Sequence, residues 1–118
     1  MRPLIAALTV CLATSSFAAS PASDLKMADQ TLNQTYQRII KRLSDDNDGR
    51  SRLVKAQKAW VAFRDAECTF QSSGDDGGTA APMVAAQCQA TLTQQRTKQL
   101  KAYLNCQEGD LSCPVPAQ

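Results

Sequence analysis

Five cysteines, no histidine, and charged residues set at helical spacing are the side chains of this 118-residue chain with chemical capacity. Lacking histidine, the chain has neither the usual general base nor the commonest metal ligand. No C-x-x-C spacing suggests a redox pair, and no Gly-rich motif suggests a phosphate site. Asp45, Asp46, Asp75 and Asp76 are the paired carboxylates, but they fall in loop-like stretches that offer no enclosed site for acid–base work. "SDDNDGR" matches an EF-hand loop at Asp46, Asp48 and Gly49. It fails at the first and last ligand positions, where Ser44 and Lys55 stand, and reads as an interhelical turn. The expectation is therefore not an enzyme, with no catalytic residues, no metal and no cofactor.

What remains is charge and sulfur that the fold must position. Arg2, the apolar run "LIAALTVCLA" and "SFA" before Ala19 read as a signal peptide over residues 1–18. Residues 19–118 then form one small domain with its core over about 23–105. Val10 before Cys11 argues against lipid anchoring, and the apolar run is too short for a membrane span. Without Arg2 the formal charge falls from +2 to about +1, too little to imply nucleic acid or an anionic membrane. Four cysteines remain, Cys68, Cys88, Cys106 and Cys113, an even count that in an exported chain reads as two disulfides with three possible connectivities.

Three stretches carry helical periodicity. The first spans about 23–43, with Ser23 as cap and Leu25, Ala28, Leu32, Thr35, Tyr36, Ile39 and Leu43 recurring at three- and four-residue steps. The second spans about 50–70, with Leu53, Ala56, Trp60, Phe63 and Phe70 expected inward and Lys55, Lys58 and Asp65 outward. The third spans about 82–104, opening near Pro82; Ala85, Cys88, Leu92 and Tyr103 would face inward, with Val84 and Leu100 at the margins. These elements predict an all-α, antiparallel three-helix bundle stapled by disulfides, with Trp60 as its large anchor and residues 106–118 as a terminal loop.

"AQKAWVAFRDAEC", residues 56–68, places Arg64 and Glu67 within about 40° of Trp60 on the helical wheel. Gln57 is close to the same face, Asp29 shares the side of Leu32 on helix one, and Arg96 shares the side of Leu92 on helix three. A polar cluster of Asp29, Gln57, Arg64, Glu67 and Arg96 is expected to bridge the helices. It can be a ligand site or a device that sets helix register, and a bundle this thin favours the second. Cys68 near the end of helix two and Cys88 early in helix three would form a staple worth about 3 kcal/mol. Cys106 and Cys113 would close a smaller loop worth about 2 kcal/mol. A Cys68–Cys106 linkage would overturn that pairing.

"AD" at 28 and 29, "LNQTY" at 32–36, "LVKAQKAWVAFRDAEC" and "CQATLTQQRTKQL" together resemble the domain named after the mycobacterial lysozyme inhibitor LprI. The likeness rests on Asp29, Leu32, Asn33, Tyr36, Gln57, Trp60, Arg64, Cys68, Cys88, Thr93 and Arg96, among others, in the family's order and spacing. Members of the family commonly carry two further cysteines ahead of the first helix; here only a few residues separate the expected cleavage site from that helix, and Cys106 and Cys113 look like this chain's own additions. The resemblance implies a small helical domain of the bacterial envelope, periplasmic or secreted, with a lysozyme as possible partner. The loop "GDDGGTAA" is then the candidate contact: Gly74, Gly77 and Gly78 permit close backbone approach, and Asp75 and Asp76 can meet a basic surface. The competing expectations are a solvated connector for that loop and, for the protein, an envelope interaction module with another partner.

Overall fold

In the computed structural model, which describes residues 20–116, three helices follow one another: α1 (Pro21–Arg42), α2 (Asn47–Ser72) and α3 (Ala80–Leu104), with a 3-10 turn at Ser73–Asp75. The proposed signal peptide lies outside the described residues. No helix among those residues is long and apolar enough to cross a membrane.

Each helix start has a local cause. Ser20, not Ser23, caps α1: its side chain accepts from the Ser23 amide at 3.2 Å, and Pro21 takes the first position, where an amide would lack a partner anyway. Asp46 caps α2 by accepting from the Gly49 amide at 2.8 Å. That moves the start to Asn47 and puts Gly49 inside the first turn, not in the connection. A Cβ on Gly49 would press on the Asp46 carboxylate, so that side chain sits closer over the first turn than a larger residue at 49 would let it. At the other end of α1, Arg42 donates to the Leu104 carbonyl at 2.7 Å, setting a cation on the negative end of α3.

Pairs across the helices give the topology. Arg64 with Thr93, Gln57 with Arg96, and Cys68 with Cys88 run in opposite order along α2 and α3. Asp29 meets the same Arg64, while Arg42 meets the far end of α3. The chain thus runs up, down and up, with α1 and α3 side by side and parallel.

The deepest packing is between those two. Ala28, Leu32, Thr35 and Ile39 on α1, and Ala90, Thr93, Thr97, Leu100 and Leu104 on α3, are buried at steps of three and four residues, the spacing of a coiled-coil seam. The buried threonines are satisfied: Thr35 and Thr97 donate to the carbonyls of Thr31 and Thr93 at 2.9 and 3.0 Å, and Thr93 Oγ1 accepts from Arg64. Leu32, Ile39, Leu43, Leu100 and Leu104 form the apolar core, closed by Val115.

Several expectations need correction. Leu100 is central and fully buried, not marginal. The face of Ala85, Cys88 and Leu92 looks toward α2, and the better-buried face of α3, turned toward α1, carries threonines that hide it in the sequence. Trp60 is only partly buried against the core. Phe63 and Phe70 are 56% and 74% exposed, and Ala56 is exposed as well. The cause is rotational: Cys68 lies about 140° around the helix from Phe63 and about 160° from Phe70, so aiming its sulfur at α3 turns both rings outward. Finally, the C-terminal loop is not a mere appendage, because it returns to bury Val115.

Candidate functional site

Both disulfides pair as the helix positions suggested. Cys68–Cys88, with Cα atoms 5.5 Å apart, ties the end of α2 to the start of α3 and fixes the base of the connecting loop. Cys106–Cys113 folds the tail so that Val115 reaches the core.

Two polar groupings lie between the helices, where the sequence suggested one cluster. Arg64, whose side chain is 14% exposed, donates to Asp29 at 3.1 Å, to Asp65 at 3.0 Å and to Thr93 at 3.2 Å. Its guanidinium also sits 5.3 Å from the centre of the Trp60 ring. One side chain therefore joins all three helices. Separately, Arg96 donates to Gln57 and Gln99, each at 3.1 Å. Glu67 belongs to neither group; it accepts from Gln71 on its own helix. Asp65, placed on the outer side by the helical wheel, is drawn to Arg64 and accepts from Gln89 at 3.4 Å. The adjacent position of Asp65 and Arg64 was the only sequence signal for that pair, and a wheel drawn from backbone angles does not show it. These donors and acceptors are engaged with one another across the helices, and Arg96 also lines a cavity of about 320 Å³ with Arg52, Leu53 and Val115. Among the described residues no three His, Cys, Asp or Glu side chains converge as a metal site.

The Gly-rich loop is different in kind. Ser73 to Ala80 is exposed throughout. Gly77 has φ +81°, a conformation that favours glycine, and a Cβ on Gly78 would press on the Asp75 carbonyl at 3.2 Å. No hydrogen bond or ion pair within the described residues engages the Asp75 or Asp76 carboxylate. Beside the loop's anchoring disulfide runs an open groove of about 520 Å³, lined in part by Pro21, Met83, Val84 and Leu92.

The fold also sorts charge, which the net value conceals. Asp24, Asp29, Asp65, Glu67, Asp75 and Asp76 lie on the segments nearest this loop along the helices, with Lys26 and Arg64 as bases on the same segments, and Asp24 shares a groove with Lys98 and Lys101. The opposite half holds ten bases and five acids. The loop end is thus acidic on a protein whose total is near neutral.

The structure thus presents a stapled helical domain whose buried side-chain polar atoms have partners, with an exposed Gly-rich loop at one end. The chain belongs to the lysozyme inhibitor LprI family, whose model matches residues 11–100. An uncharacterized protein of Rhizobium meliloti (strain 1021) is 33% identical over 96 residues, covering 72% of this chain and 69% of that one. No solved structure matches significantly.

Proposed function

We propose that the protein is a periplasmic or secreted inhibitor of a lysozyme that acts by presenting the loop of Gly74, Asp75, Asp76, Gly77 and Gly78 to the enzyme's sugar-binding cleft. Membership of the LprI family carries this reading. Two disulfides support an oxidising compartment outside the cytoplasm. The loop end supports the mechanism: its carboxylates have no partner among the described residues, its glycines allow close backbone approach, and its local charge suits the basic surface of a lysozyme. A lysozyme cleft works through two carboxylates flanking the glycosidic bond, so an inserted loop need only exclude substrate. The interhelical groups around Arg64 and Arg96 serve as structural support for that loop.

The test is titration of the oxidised protein into assays of chicken-, goose- and invertebrate-type lysozymes, with calorimetry in parallel. Saturable inhibition of one type, weakened by Asp75→Asn/Asp76→Asn, is the expected result. Absence of both inhibition and heat with all three would leave an envelope interaction module with a different partner as the better reading.

A further inference from the structure

α2 carries a second seam that no element among the described residues covers. Ala56, Ala59, Phe63, Ala66 and Phe70 follow one another at steps of three and four residues, and all five are exposed. They are centred roughly a third of a turn from Leu53, Gln57 and Arg64, which face the bundle. Exposed aromatic rings at coiled-coil spacing on a helix otherwise rich in alanine are an association surface.

We propose that this seam is the interface of a homodimer, with α2 of one copy antiparallel to α2 of the other. Shape selects a second copy. A two-fold axis between residues 64 and 65 sets Phe63 against Ala66 of the other copy and Phe70 against its Ala59, so each large side chain meets a small one. Charge selects the same register. It carries Arg52 past the end of the other copy's α2, which stops at Ser72, toward the loop that holds Asp75 and Asp76, and none of these three charges forms an ion pair within the described residues. The sorted charge fixes the direction: antiparallel helices lay the acidic half of each copy along the basic half of the other, whereas parallel ones would stack like on like.

The seam is about 22 Å long at the α-helical rise. At a helix-contact width of about 10 Å it buries roughly 450 Å² per copy with its flanks, the low end for a specific interface, so the dimer is reversible. Because it engages the loop of Asp75 and Asp76, it competes with the lysozyme contact proposed above.

Sedimentation velocity on the oxidised protein, from about 1 to 500 µM, tests this without any lysozyme, so its result stands apart from the inhibition assay. Monomer at the low end and dimer at the high end are expected. Phe63→Asp/Phe70→Asp, and the milder Phe70→Ser, should stay monomeric with an unchanged melting temperature, since both rings already face water. Arg52→Glu alone and Asp75→Lys/Asp76→Lys alone should each weaken the dimer at least about tenfold, and an equimolar mixture of the two should recover it, because the mixed pair restores opposite charges at both ends. A wild-type monomer at the highest concentration would overturn the proposal. So would a dimer indifferent to the phenylalanine substitutions, or a mixture that recovers nothing.

Discussion

Arg64 of α2 and Asp29 of α1 meet at 3.1 Å, and the same guanidinium nitrogen reaches Thr93 of α3 at 3.2 Å. Arg64→Ala would remove the donor to a fully buried threonine hydroxyl, two carboxylate contacts and the stacking on Trp60. The expected loss is about 2 kcal/mol, most of it from the unpaired hydroxyl and the ring contact. Thermal unfolding should show a melting temperature about 10 °C lower. Asp29→Ala should cost less than about 1 kcal/mol, because its side chain is half exposed. Equal effects from the two substitutions would make the ion pair, and not Thr93 and Trp60, the dominant partner.

The Cys68–Cys88 bond closes a separation of 20 residues. Loop-closure entropy assigns it about 3 kcal/mol, so Cys68→Ala/Cys88→Ala should lower stability by roughly that amount in denaturant titrations. It should also weaken any lysozyme inhibition beyond what the stability loss explains, because the loop's base would no longer be tied.

Val115 is 2% exposed although it follows the last helix by eleven positions. Val115→Ala should destabilise by roughly 1–2 kcal/mol through the methyl groups lost and the cavity left. Cys106→Ser/Cys113→Ser should have an overlapping effect, since the bridge holds the segment that delivers Val115. Combining all three substitutions should therefore give less than the sum, which chemical denaturation can measure.

Gly77 and Gly74 separate conformation from space. Gly77→Ala forces an alanine to φ +81° and should cost about 1 kcal/mol or rearrange the loop, whereas Gly74→Ala meets nothing within 4 Å and should be neutral. Under the proposed function, inhibition should fall for Gly77→Ala and persist for Gly74→Ala.

The helices, their order and both disulfides were legible in the residues, because amphipathic period, Asp and Ser caps, and cysteines at helix ends act locally. Arg64 was recognisable as inward-facing for the same reason: it shares a stripe with Trp60. The rotation of α1 about its own axis was legible too, since Ala28, Leu32, Thr35, Ile39 and Leu43 are buried as their spacing indicated, but that of α2 and α3 was not. On α2 the apolar stripe is wide enough to admit several orientations, and the Cys68–Cys88 bond selects one that exposes Phe63 and Phe70. On α3, Thr93 and Thr97 read as polar, yet once their hydroxyls find Arg64 and a backbone carbonyl they pack as core. The return of Val115 and the gathering of acids at the loop end depend on residues far apart in the chain. Local sequence thus settled which segments are helical and which cysteines are near, since those follow from backbone propensity and short closures. Which faces of α2 and α3 are buried, and where charge accumulates, was decided only when three helices and a tail competed for one small core.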